Sequence, residues 1–132
     1  MSAGRVALAP ATRETCRAAF EHLYGEAREV PCRILGFTGS VDGKVIGLGG
    51  IAFYANGARV AFCDVSDEGR GYPVSLHRAA RMLFGQARKL GIKRVVVIDS
   101  AEVHEKTPGW LRHLGFQRAA LGSGAPGWIW EG

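Results

Sequence analysis

Hydrophobic and polar positions change period several times along the chain, and the changes divide it into elements. Arg5–Ala9 is a short apolar run that reads as a strand. From Ala11 to Glu26 the period is helical: Cys16, Ala19, Phe20 and Leu23 share one face, and Thr12, Glu14 and Glu21 lie opposite. The helix starts at Pro10 or Thr12, and Pro31 breaks the chain after it. Cys32–Val41 is a strand in which Ile34, Phe37 and Val41 flank glycine and threonine. Asp42-Gly43 predicts a hairpin turn, Lys44–Tyr54 is the return strand, and Asn56-Gly57 predicts a second turn of the same kind. These strands form an antiparallel meander.

The chain is organised around Arg59–Asp99. Arg59–Val65 (RVAFCDV) is an apolar strand, Ser66–Tyr72 a polar loop with two glycines, Pro73–Leu90 a helix, and Lys93–Ile98 a second strand. Pro73 suits the first helical position, where its missing N–H costs nothing. Leu76, Ala79, Ala80, Leu83, Phe84, Ala87 and Leu90 form one stripe at three- and four-residue steps, and Gly91 ends it. The run VVVI predicts a parallel strand buried on both faces. A helix starting just after a glycine-bearing loop offers free N–H groups and a positive dipole end to an anion. Beyond Asp99 come a polar loop, a short helix over Pro108–Leu114 stopped by Gly115, a strand over Phe116–Leu121, a glycine-rich turn, and a last strand at Trp128–Trp130. Gly47, Gly49 and Gly50 inside the middle strand lack the Lys-Ser/Thr of a phosphate-cradling Walker loop, so they read as bulge or close-packing glycines.

Composition narrows the class. A chain of 132 residues, 47% hydrophobic and 22% charged, is a single folded domain rather than a disordered one. No run approaches membrane-spanning length, and the N-terminal stretch lacks a secretory pattern, so the expected place is the cytoplasm. Cys16, Cys32 and Cys63 have no metal-type spacing and read as reduced, buried thiols; no metal site is expected. The formal net charge of +5 suits an anionic partner. Arg78, Arg81 and Arg88 share a helical face, of which a solvated surface is the commoner meaning, and the lack of interleaved aromatics argues against a nucleic-acid surface.

The order β-α-β-β-β-α-β-α-β-β, with one parallel crossover in the centre, resembles the GCN5-related N-acetyltransferase (GNAT) superfamily over nearly the whole chain. The expected fold is α/β (α+β), with a mixed sheet of about seven strands and flanking helices. Two segments carry the resemblance: the unit Arg59–Asp99, which corresponds to the family's acetyl-CoA binding segment, and Trp110-Leu111-Arg112-His113-Leu114-Gly115-Phe116, which is similar to the family's aromatic-Tyr-x-x-Leu-Gly-Phe segment. The resemblance implies acetyl-CoA as cofactor and a small-molecule or protein amine as acceptor. It places pantetheine on the backbone of Phe62, Cys63 and Val65. It places pyrophosphate on Arg70, Gly71 and the N–H groups of Val74, Ser75 and Leu76. Such a cradle needs at least three N–H groups between Gly69 and Leu76 aimed into one concavity. It implies a splay between the two central strands, paired near their N-terminal ends and diverging towards Asp64 and Asp99.

Three positions depart from that pattern. Gly71-Tyr72-Pro73-Val74-Ser75 follows Arg70 where two glycines are usual; Leu111 replaces the usual proton-donating tyrosine; and His104 stands where an asparagine is common. In this eroded form Ser66-Asp67-Glu68, Tyr72-Pro73-Val74-Ser75-Leu76-His77-Arg78-Ala79-Ala80-Arg81 and the Trp110–Phe116 segment also resemble small GNAT-like proteins of tailed phages and prophages, some of them internal virion proteins. That implies an alternative: an inactive structural or host-interaction protein with virion partners, its cleft plugged by Tyr72 or Val74. Asp64 reads as a general base or as a solvated strand-end carboxylate. His104 is the alternative base, and Tyr72 is the candidate proton donor. Asp67 and Glu68 repel a phosphate. His77 reads as solvated or capping, His113 as surface, and the three tryptophans as packing residues.

Overall fold

The computed structural model describes residues 6–26, 32–98, 107–122, 124 and 126–132. The elements follow the expected order: β1 (Ala7–Pro10), α1 (Arg13–Tyr24), β2 (Arg33–Val41), β3 (Lys44–Phe53), β4 (Arg59–Val65), α2 (Pro73–Lys89), β5 (Val95–Ile98), α3 (Thr107–His113), β6 (Gln117–Ala120) and β7 (Pro126–Trp130). The strands form one seven-stranded sheet in the spatial order β1-β2-β3-β4-β5-β7-β6. Its β4–β5 pair is parallel and the other pairs are antiparallel.

Local chemistry sets the helix ends. Thr12 caps α1: its hydroxyl accepts from the Thr15 N–H at 3.1 Å, and the Thr15 hydroxyl accepts from the Thr12 N–H at 2.7 Å. Helix α2 ends at Gly91, whose φ of 77° lets the Ile92 N–H reach back to the Ala87 carbonyl at 3.0 Å. The Gly115 end of α3 repeats this device, with the Phe116 N–H on the Leu111 carbonyl.

The two faces of the sheet carry separate cores. Helices α2 and α3 cover one face, where Leu83, Phe84, Ala87, Leu111 and Phe116 close over Ile51, Val95, Trp128 and Trp130. Phe84 meets Phe116 edge-on at 5.3 Å and lies 5.0 Å from the Trp130 ring. Such aromatic pairs contribute about 0.5–1.5 kcal/mol beyond their buried area. Helix α1 covers the other face, packing Cys16 and Ala19 onto Leu48, Ile34 and Phe62. Gly36 and Gly50 are partners in the β2–β3 ladder, and a Cβ on Gly36 would stand 2.2 Å from the Gly49 carbonyl oxygen. Close packing therefore accounts for Gly50, where a Cβ would stand 2.7 Å from the Leu35 carbonyl oxygen, whereas Gly47 and Gly49 have room for one.

Several sequence expectations need correction. Asp42 and Gly43 both take positive φ, as a two-residue hairpin turn requires. The second turn is of a different kind: Gly57 alone is positive, its N–H donates to the Tyr54 carbonyl, and the Asn56 side chain accepts from the Ala58 N–H. Strand β5 starts at Val95 rather than Lys93, and it is not buried on both faces. Val95 is enclosed, Val96 and Val97 are half-buried, and Ile98 is 55% exposed, because β4 has by then turned away.

Candidate functional site

Strands β4 and β5 pair through one register position, Val60 with Val96. Past it β4 stays in register with β3 as far as Val65 opposite Gly47, while no β5 residue pairs with Ala61–Val65. The strands therefore meet near their N-terminal ends and separate. Ala58 and Ser66 bond across to Tyr54 and Ile46, so the even-numbered residues of β4, Phe62 among them, turn their backbone groups to β3, whereas Cys63 and Val65 turn theirs to the β5 side and have no ladder partner there.

Alternation along β4 sorts the side chains at this edge. Ala61 packs with the α2-side core and Phe62 with the α1-side core. Cys63 and Val65 therefore face the α2 side, and Asp64 the α1 side. Cys63 is exposed, contrary to the expectation of a buried thiol. Crowding by the surrounding protein, and then the neighbouring Asp64 carboxylate, push its pKa up to about 12. The thiol is neutral and is not a nucleophile at physiological pH.

Asp64 does not stand alone. The Tyr24 hydroxyl, at the end of α1, donates to its Oδ1. The Tyr24 ring stacks on Phe20 with centroids 6.0 Å apart, which fixes the phenol above the sheet. Nothing in the sequence pattern singles out Tyr24, which is the last residue of an ordinary amphipathic helix.

The loop after β4 is held by a bulge in β3. Gly39 pairs with Gly47 and Ser40 with Val45, so Ile46 is an extra residue between the two positions. The Ile46 carbonyl accepts from the Ser66 N–H at 2.9 Å and from the Ser66 hydroxyl at 3.1 Å. Gly69 is buried against the same carbonyl, and its N–H donates to the Ser66 hydroxyl at 3.1 Å.

That anchoring winds Gly69–Gly71 into a 3-10 turn, and the turn uses N–H groups expected to face a phosphate. Arg70 donates to the Ser66 carbonyl, Gly71 to Glu68, Tyr72 to Gly69 and Leu76 to Tyr72. Of the N–H groups named for the cradle, those of Gly71 and Leu76 are therefore engaged within the chain. Pro73 has none, and the N–H groups of Val74 and Ser75 are the ones left at the start of α2. A cradle of three free donors between Gly69 and Leu76 is absent, because the loop closes on itself.

The charges expected to repel a phosphate have partners. Asp67 lies 3.5 Å from the Arg70 guanidinium, and Glu68 lies 3.1 Å from the Lys44 ammonium. The Arg70 and Asp67 side chains are both well exposed, so that pair is weak and easily exchanged. Tyr72 is half-buried and caps α2 without a side-chain hydrogen bond. Leu111 is buried in the α3 core and offers no proton. His104 and Asp99 lie outside the described residues. His77 is not merely solvated: its Nδ1 accepts from the Trp110 Nε1–H at 3.1 Å, and its ring lies 5.7 Å from that of His113, tying α3 to α2. Among the described residues no cluster of His, Cys, Asp and Glu could hold a metal ion, and no helix is long and apolar enough to cross a membrane.

No family model matches the chain, and no curated protein matches it by sequence. Solved structures do. The ribosomal-protein-S18-alanine N-acetyltransferase of Escherichia coli superposes with a TM-score of 0.69 at 12% identity, over 96% of this chain and 94% of that one. A GNAT-family acetyltransferase of Staphylococcus aureus gives 0.70 at 8% identity, over 96% and 99%. A Salmonella typhimurium protein, solved with its cofactor acetyl-CoA, gives 0.63 at 13% identity, over 96% and 93%. At these identities the likeness is one of fold, and the fold is that of the GNAT acetyltransferases.

Proposed function

We propose that this GNAT-fold chain is an acyl-CoA-dependent N-acyltransferase, with the opening between β4 and β5 as its thioester site. The observation that carries the reading is the single Val60–Val96 pair. It leaves a strand edge with unpaired backbone groups, and an amide-bearing arm can extend the sheet there. Cys63 and Val65 supply that edge; the Phe62 backbone, expected to share it, is taken up by the ladder with Gly50. The site fits the two ends of acetyl-CoA unequally. The strand edge suits the pantetheine arm, whereas the pyrophosphate end has the Val74 and Ser75 N–H groups and the Arg70 side chain in place of a full cradle.

When bound, acetyl-CoA supplies an acetyl group activated as a thioester. The chain supplies the proton handling. Asp64 accepts a proton from the acceptor amine. Tyr24 holds one carboxylate oxygen of Asp64 and leaves the other to take that proton. Tyr72, at the start of α2, is the donor on the sulfur side. The acceptor reaches Asp64 from the α1 side and is an amine, small or on a protein.

Calorimetric titration with acetyl-CoA tests the reading. Saturable binding in the range of roughly 1 μM to 1 mM, the span of ordinary enzyme substrates, supports it. One observation favours a second reading, the 3-10 turn that uses up the loop donors. That reading is a catalytically silent module, as the resemblance to phage proteins implies. No heat at millimolar acetyl-CoA selects it, and detection of the chain in purified virions would give it a location.

A further inference from the structure

Helix α2 presents a face of one charge. Arg78, Arg81, Arg88 and Lys89 are all exposed and fall within about a third of the helix circumference. Val74 and Met82 lie on the same arc, 70% and 45% exposed. Residues 69–98 and 107–122 contain no Asp or Glu, so the described parts of α2 and α3 bring no acidic side chain to this side of the sheet. Arg112 of α3 extends the charge, its guanidinium 5.2 Å from the Trp128 ring. The Lys44–Glu68 and Arg70–Asp67 ion pairs involve the loop and the β2–β3 hairpin. Helix α1 differs: Arg13, Glu14, Arg17 and Glu21 mix both signs.

We propose that the outer face of α2 is a docking surface for an acidic protein segment whose carboxylates are interspersed with aliphatic side chains. The charge selects a polyanion. The interleaved side chains select its kind. Val74 and Met82 offer aliphatic contact between the cations, which a peptide can use and a phosphodiester backbone cannot. On this side of the sheet Phe84, Phe116, Trp128 and Trp130 are buried, and Trp110 is half-buried with its Nε1–H on His77, so no exposed stacking platform for bases accompanies the arginines. Two aliphatic residues without an exposed aromatic are too little to seat a helix in a bilayer surface. This inference is independent of acyl transfer, since Arg81 and Lys89 lie beyond the helix start where a phosphate would sit.

The test uses the full chain and a labelled peptide of about twenty residues in Glu-Glu-Leu-Glu repeats, long enough to cover the helix face. Three probes are compared with it by fluorescence anisotropy or sedimentation: poly-glutamate of equal length, a single-stranded oligonucleotide of equal charge, and vesicles containing phosphatidylserine. The expected result is micromolar binding of the mixed peptide, tighter than any of the three and weakened by added salt. The Arg81→Glu/Lys89→Glu variant should bind it at least about tenfold more weakly. Arg81→Gln/Lys89→Gln serves if the charge reversal disturbs folding by circular dichroism. Unchanged peptide binding in the variant, tighter binding of the oligonucleotide or the vesicles, or no peptide binding below about 1 mM overturns the proposal.

Discussion

Tyr24 and Asp64, forty positions apart in the chain, meet through a hydrogen bond from the phenol to the carboxylate. The contact joins the end of α1 to the divergent end of β4, so one interaction reports on both helix docking and the proposed base. Tyr24 is 46% exposed, and the bond is therefore worth about 0.5–1.5 kcal/mol net. Urea denaturation of Tyr24→Phe, Asp64→Ala and the double variant should give a coupling energy of that size. A coupling indistinguishable from zero would show that the pair does not persist in solution. In an acyl-transfer assay Asp64→Asn should cost about a hundredfold or more, the usual worth of a positioned base.

Arg70 lies four residues before Val74, the first of the two remaining helix-start N–H groups. Its pairing with Asp67 is exposed and carries little stability, so Arg70→Ala should leave the thermal midpoint nearly unchanged. Acetyl-CoA affinity should fall by about tenfold, the loss of one charge-assisted contact. Asp67→Ala should act the other way and tighten binding, because it removes both the competing carboxylate and its repulsion of phosphate. Equal affinities in all three proteins would remove Arg70 from the site.

Gly69 is where the loop presses on the β3 bulge. A Cβ there would lie 2.3 Å from the Ile46 carbonyl oxygen and 2.6 Å from Val65 Cγ1. Backbone cannot yield as a flexible side chain can, so Gly69→Ala should destabilise by about 1–3 kcal/mol. Gly71→Ala, with open space around its Cβ, is the control and should cost far less. Equal melting temperatures for the two variants would mean that the bulge does not hold the loop.

Cys63 is exposed, yet its pKa is raised to about 12 by surrounding protein and by Asp64. The thiolate reacts and the thiol does not, so alkylation by iodoacetamide at pH 8 should be at least about tenfold slower than for a free cysteine. Measuring in a Cys32→Ala background isolates the site, since Cys16 is buried. The sign for stability follows from proton counts. Above the ordinary thiol value of 9.0 the unfolded chain loses this proton and the folded chain keeps it. This group therefore lowers stability as pH rises from about 9 towards 12, and contributes nothing below. Alkylation as fast as that of a free thiol would mean that the opening is wide and fully hydrated.

The sequence by itself determined the elements and their order. Periodicity placed every helix and strand within a few residues, because amphipathic faces and turn residues such as Asp42-Gly43 are local properties. The order, one parallel crossover amid antiparallel strands, was enough to name the fold and to expect a splay at Phe62–Val65. Tertiary structure decided what the site residues can do. Tyr24 reaches Asp64 because α1 docks across β4, and no local pattern encodes a contact forty residues away. The loop donors are turned inward because the bulge at Ile46 leaves a carbonyl for Ser66 to capture. His77 became a partner of Trp110 once α3 had packed beside α2. Local sequence sets backbone preference, whereas the availability of a donor, an acceptor or a charge depends on which distant groups the fold brings against it.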